Sequence, residues 1–134
     1  MTRKITRAAA RISLGLEDRL RLGNLDARRD WGWAPDYARA LAASATKPGD
    51  YVIATGVSHS VREFVARAFE AAGVRDWEER VEVDRDLLRP ADAADLVGDA
   101  RKAAHELRWS PTMSFDQIVG AMVDADLAEA SAAR

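Results

Sequence analysis

Arg28 and Arg29 stand between Asp26 and Asp30 and run directly into Trp31 and Trp33, which makes this stretch the densest chemistry in the sequence. Guanidinium forks suit bidentate contact with phosphate or carboxylate oxygens, and an indole face can hold a base or a cation. Such a run can grip an anion and stack on a ring. It can equally form an ion-paired surface loop with half-buried indoles. A second cationic position is Arg89, followed by Pro90 and Asp92. Pro90 lacks an amide and biases Arg89 away from helix, so the arginine faces outward from a loop, as an anion or sugar clamp or as the partner of Asp92 or Asp95. Lys4 lies beside Arg3, Arg7 and Arg11, whose four-residue spacing makes one face of a helix cationic.

The elements that must position these groups follow from periodicity. Residues 2–14 read as a helix with Ile5, Ala8, Ala9 and Ile12 on its apolar side, Thr2 as its cap and Gly15 as its stop. Leu20-Arg21-Leu22 alternates like a strand feeding the arginine run, and Gly23-Asn24 allows a turn with positive φ. Pro35 opens a helix with Tyr37, Ala40, Leu41 and Ser44 on one side, ending at the Lys47-Pro48-Gly49-Asp50 turn. Tyr51-Val52-Ile53-Ala54 reads as a strand buried on both faces. Ser60 and Glu63 form a capping box for a helix over 60–72 with Val61, Phe64, Val65, Ala68, Phe69 and Ala72 as core and Gly73 as its end. Residues 81–84 alternate as a short strand, and Asp99 can cap a helix reaching Leu107, with Trp109 packed behind it. Ser114 and Gln117 make a second capping box, leading a last helix with Phe115, Ile118, Val119, Met122 and Leu127 inside.

Composition bounds the function. A chain of 134 residues that is 48% apolar is one domain in size and can bury a core. The formal charge of −2 does not suit a nucleic-acid protein, although residues 1–46 carry nine Lys/Arg against five Asp/Glu. Without cysteine there is no disulfide framework or thiolate chemistry, which suits the cytoplasm. No apolar stretch approaches the roughly 20 residues of a membrane span. His59 and His105 have no partner spacing for a metal. There is no glycine-rich GxGxxG, no Walker loop and no HExxH, and the residues four after Tyr37 and Tyr51 are Leu41 and Thr55 instead of lysine.

The order of motifs resembles GDP-mannose 4,6-dehydratase, of the extended short-chain dehydrogenase/reductase type (the NAD-dependent epimerase/dehydratase family). The stretches that carry the likeness are Thr2-Arg3-Lys4-Ile5-Thr6-Arg7, the run from Leu22 to Gly32, Asp50-Tyr51-Val52-Ile53-Ala54-Thr55-Gly56 and His59-Ser60-Val61-Arg62-Glu63-Phe64-Val65. Arg89-Pro90, Gly98-Asp99, Leu107-Arg108-Trp109-Ser110-Pro111 and Ser114-Phe115 follow in the same order. The resemblance covers roughly 125 residues and only the C-terminal part of such an enzyme. It implies an α/β fold: a helix-rich substrate-binding lobe with a few short strands, lacking the Rossmann N-terminal half. Residues 1–134 would be a single incomplete domain, in which 36–54 resemble the helix and strand that return to the cofactor-domain sheet.

The resemblance also implies roles. Lys4 would contact the nucleotide-sugar phosphates, Leu22 would lie at the nucleoside, Arg29 would approach the diphosphate, and Arg89 would clamp it. Asp92 stands where the family usually has a ribose-contacting Glu. The family is a lyase that converts GDP-mannose to GDP-4-dehydro-6-deoxy-mannose and water. NADP oxidises C4 with a Tyr as base, a Glu takes the C5 proton, water leaves from C6, and the hydride returns there. The catalytic Thr, Glu, Tyr and Lys and the NADP-binding loop have no counterpart here, so no catalytic or cofactor-binding residue is expected and no NADP should bind this chain alone. The expectation is therefore a cytoplasmic fragment without activity of its own that binds GDP-mannose or GDP weakly, in a family of homodimers and tetramers, with no nucleic-acid or membrane partner. The alternative is a non-catalytic nucleotide-sugar-binding or oligomer-assembly module.

Overall fold

Helix α1 (Thr2–Ser13) turns Ile5, Ala8, Ala9 and Ile12 inward and leaves Arg3, Lys4 and Arg7 in solvent, as a 3.6-residue period dictates. The structure is a computed structural model that describes residues 1–88 and 95–133. The helix begins one residue earlier than a Thr2 cap requires: Met1 is the N-cap, and no side chain caps it. It stops at Gly15, whose φ of 69° lets the amides of Gly15 and Leu16 turn back to the carbonyls of Ile12 and Arg11.

Strand β1 (Leu20–Leu22) buries Leu20 and Leu22 and presents Arg21 to solvent. After it come β2 (Arg28–Arg29), α2 (Ala34–Thr46), β3 (His59–Ser60), α3 (Val61–Ala71), a single turn α4 (Trp77–Arg80) and β4 (Val81–Val83). A 3-10 turn at Arg85–Leu87, α5 (Arg101–Leu107) and α6 (Phe115–Ala132) complete the order. The sheets are small: β1 pairs parallel with β4, Leu20 opposite Val81, and β2 pairs antiparallel with β3, Arg28 opposite Ser60.

The core lies among α1, α3 and α6, with β1 along one side. Phe64, Val65, Phe69, Ile5, Leu20, Val119 and Val123 are almost fully buried there. Removing such a phenylalanine costs about 3–5 kcal/mol. Both capping boxes form: Ser60 accepts from the Glu63 amide while Glu63 accepts from the Ser60 amide, and Ser114 and Gln117 do the same. One polar clasp crosses the core edge. Asp126, inside the buried face of α6, accepts from the Thr6 hydroxyl at 2.6 Å and pairs with Arg3 at 2.8 Å.

A smaller cluster joins α2 to α5 through Ala40, Ala103 and Trp109. Its polar centre is Asp36, fully buried. The Asp36 carboxylate accepts from the Thr112 amide and hydroxyl at 2.7 Å each and from Arg39 at 2.6 Å, while its carbonyl takes the Trp109 indole N–H at 2.7 Å. Burial pushes the carboxyl up, but those donors together outweigh it and hold it below the ordinary carboxylate value. The expected apolar side of α2 is only partly realised: Ala40 is buried and Tyr37 packs beside it, whereas Leu41 is 71% exposed.

Tyr51-Val52-Ile53-Ala54 does not form the expected strand. The segment is extended but joins no ladder among the described residues, and Val52 is half exposed. Its β-prone composition describes a sheet edge with no partner strand beside it. Gly98 lies against it, so close that a β-carbon there would meet that of Ala54. No helix among the described residues is long and apolar enough to cross a membrane.

Candidate functional site

The arginine run is pinned at the start of α3. The amides of Val61 and Arg62 donate to the carbonyls of Ala27 and Leu25 at 2.9 and 2.8 Å, and the Glu63 amide goes to the Ser60 hydroxyl. Amides that a helix N-terminus leaves unpaired thus hold the segment that carries Arg28 and Arg29, and their use here closes that terminus to other anions.

From this anchor the run divides. Arg28 turns to the 55–58 loop, donating from Nε to the Ser58 hydroxyl at 3.1 Å and from Nη2 to the Ser58 carbonyl at 2.7 Å. Asp30 gathers the same loop, accepting from the Thr55 amide and hydroxyl and from the amides of Gly56 and Gly98. Burial raises the Asp30 carboxyl, but these four hydrogen bonds together set it below its ordinary value. Trp31 packs inward, edge-on to Phe64 at 5.1 Å and stacked on Phe115 at 5.9 Å, and His59 stacks flat on Phe115 at 3.8 Å. Trp31 borders a cavity of about 440 Å³ with His59, Glu63, Arg67 and Phe115, while Arg29 borders a separate one beside Lys4.

That cavity, a cleft of about 380 Å³, is lined by Lys4 from α1, Leu22 and Gly23 at the end of β1, Asn24, Ala27, Arg29, Val61, Leu87 and Met1. Lys4 donates to the Arg21 carbonyl at 2.6 Å, and Arg29 to the Arg28 carbonyl at 2.6 Å, so each stem is steered along the wall. Gly23 and Asn24 do not take positive φ; the described residues that do are Gly15, Gly56, Gly73 and Arg108. Glycine is needed at position 23 for a different reason. A β-carbon there would stand 2.5 Å from the Leu87 carbonyl oxygen, so the chain preceding Arg89 closes against it. Asn24 makes an Asx turn, its Oδ1 accepting from the Asp26 amide at 2.9 Å.

Three sequence-derived site residues, Lys4, Leu22 and Arg29, therefore line one cleft although they come from three elements. Arg89 and Asp92 lie outside the described residues. Asp36 and Asp126 escaped the sequence reading, because an aspartate within a helical pattern carries no mark that it is buried, and Asp30 reads there as a carboxylate of the arginine run without its loop partners. Among the described residues no group of three His, Cys, Asp or Glu side chains could hold a metal ion. Their ladders are two or three residues long, and among them no glycine-rich turn joins a strand to a helix.

A family model described as GDP-mannose 4,6 dehydratase matches residues 1–122. The chain belongs to this family. GDP-mannose 4,6 dehydratase 1 of Arabidopsis thaliana is 47% identical over 129 residues, covering 95% of this chain and 36% of its own length. The Homo sapiens GDP-mannose 4,6 dehydratase is 43% identical over 145 residues, covering 95% of this chain and 39% of its own. The chain thus spans well under half the length of these GDP-mannose 4,6-dehydratases. In fold it is similar to RMD from Pseudomonas aeruginosa, a structure complexed with NADPH, with a TM-score of 0.82, 21% identity, and coverage of 96% of this chain and 42% of that one. It is also similar to UDP-glucose 4-epimerase from Bifidobacterium longum in complex with NAD+ and UDP, with a TM-score of 0.73, 21% identity, and coverage of 96% and 40%. The dehydratase-family chain therefore has the helix-rich α/β architecture of part of an extended short-chain dehydrogenase/reductase.

Proposed function

We propose that residues 1–134 form the nucleotide-sugar-holding part of a cytoplasmic GDP-mannose 4,6-dehydratase. Lys4 and Arg29 meet the diphosphate, and Leu22 lies at the nucleoside. Arg89, two residues beyond the cleft-lining Leu87, adds a second guanidinium, and Asp92 contacts the ribose. The observation that supports this is the convergence of Lys4, Leu22 and Arg29 on one cleft in a chain of this family. A lysine and two arginines are charge-assisted donors worth about 1.5–3 kcal/mol each when well placed on phosphate oxygens.

The oxidation, proton transfers and loss of water belong to groups outside these residues, since the 134 residues supply neither a dinucleotide cradle nor a Tyr-x-x-x-Lys pair. The cofactor-binding half, in the same polypeptide or another, docks on the unpaired segment at 51–55, where Val52, Val57, Leu96 and Val97 are half exposed. Product analysis tests this directly. The pure 134-residue chain, given GDP-mannose and NADP, forms no 4-keto-6-deoxy sugar, while GDP-mannose shifts the amide resonances of 22–29. Turnover by the chain alone, or shifts elsewhere, would overturn the reading.

A further inference from the structure

Beside the nucleotide cleft runs a larger groove of about 650 Å³, between α1 and residues 17–21. It is lined by Arg3, Lys4, Arg7, Arg11, Arg19 and Arg21, with Glu17 as its one carboxylate and Ala8 and Leu20 as its floor. Six cations against one lining acid, in a chain whose formal charge is −2, is a concentrated positive field.

Neighbouring acids neutralise part of it. Arg3 is taken by Asp126 and Glu129, Arg11 by Glu17 and Arg21 by Asp84. Among the described residues Arg7 and Arg19 make no hydrogen bond or ion pair, although Asp126 and Glu129 line a neighbouring cavity with Arg7. Arg3, Arg7 and Arg11 also repeat at i, i+4, where like charges destabilise a helix. An anion between Arg7 and Arg19 relieves that repulsion.

The lining also says what kind of anion. It contains no aromatic ring, so it offers no platform for a base, which single-stranded nucleic acid requires. Its donors are guanidiniums, whose forks match phosphate oxygens, and its size is in the range of small-molecule sites. We propose that this groove is a second anion site, taking the phosphate chain of a diphosphate- or longer phosphate-bearing small molecule between Arg7 and Arg19. The site does not rest on what the neighbouring cleft binds. Lys4 borders both cavities, so an occupant of the groove competes for the ammonium that lines the cleft.

Inorganic pyrophosphate is the probe, titrated at low salt into the ¹⁵N-labelled full chain, wild type and Arg7→Gln/Arg19→Gln. Both side chains are exposed and unbonded, so the variant should keep its fold, and Arg7→Lys/Arg19→Lys, which restores charge without the fork, serves as a second variant. The expected result is that amides of 7–11 and 17–21 shift in the wild type, that affinity falls about tenfold for each neutralised arginine, and that the lysine variant recovers part of it. Arg29→Gln should leave these shifts in place, which separates this site from the nucleotide cleft. No shift in those segments, shifts confined to 22–29, or equal affinity in the glutamine variant would overturn the proposal. So would tighter binding of a short single-stranded oligonucleotide.

Discussion

Asp36→Ala should be among the most damaging polar substitutions in the chain. The Asp36 side chain is 1% exposed, and it is the acceptor that ties α2 to the turn before α6. The Thr112 amide bond to a buried carboxylate is worth about 1.5–3 kcal/mol and the hydroxyl bond about 1. The Arg39 pair, with the guanidinium half in solvent, adds about 0–1. Relief of the carboxylate's own burial and rehydration of Thr112 take some of this back, leaving a net loss of about 2–3 kcal/mol. In urea, read from tryptophan fluorescence, the midpoint should fall by about 1–2 M with the slope unchanged. The pH dependence has a definite sign. Because the folded-state pKa is depressed, this stabilisation is fully present above the ordinary carboxylate value of 3.8 and is lost as pH falls through the lower native value. The gap between wild type and variant should therefore be full at neutral pH and shrink below about pH 4. A difference under about 0.5 kcal/mol at pH 7, or one that persists undiminished in acid, would refute the reasoning.

Gly23→Ala should cost about 1–3 kcal/mol and displace the 3-10 turn at Arg85–Leu87, seen as amide shifts there, because the added carbon meets the Leu87 carbonyl backbone. An unshifted turn in that variant would show that the close approach is not a constraint. Asp30→Ala should speed hydrogen exchange at Thr55, Gly56 and Gly98, whose amides it accepts, and leave α1 protected; unchanged exchange at all three would contradict the assigned hub. Val52→Lys should reduce self-association of the isolated chain in sedimentation, because it places a charge on an unpaired apolar edge. A monodisperse wild type with a sharp, high melting transition would remove the premise.

Several local signals in the sequence survive into the structure, although the Thr2 cap and a positive-φ turn at Gly23-Asn24 do not, and signals that depend on distant partners are lost. The two capping boxes and the Gly15 and Gly73 stops were legible because a cap involves residues within one turn. Leu20–Leu22 and Val81–Val83 were visible as strands, but their parallel pairing was not, since three residues cannot specify a register. The Arg28–Arg29 ladder with His59–Ser60 has no period to read at all. Tyr51–Ala54 looked like a buried strand because β-propensity reports fitness for a sheet, and the described residues provide none there. At the site, residue types left the arginine run open between an anion grip and an ion-paired loop, and the grouping of Arg29 with Lys4 and Leu22 came from family resemblance; spacing alone placed Lys4 on a cationic helix face. Asp36 and Asp126 were invisible because a helical pattern counts Asp as solvent-facing whether or not donors surround it.

The central claim is that Lys4 and Arg29 act together on a nucleotide diphosphate. Its most direct test is the affinity of GDP for the 134-residue chain by isothermal titration, with Lys4→Ala and Arg29→Ala compared at two salt concentrations. Binding should be weak and salt-sensitive, each variant should lose about 1.5–3 kcal/mol, and the amides of Leu22 and Gly23 should report the bound nucleotide. GDP affinity unchanged in Arg29→Ala, or binding that leaves residues 22–29 unperturbed, would mean that the cleft is not the nucleotide site.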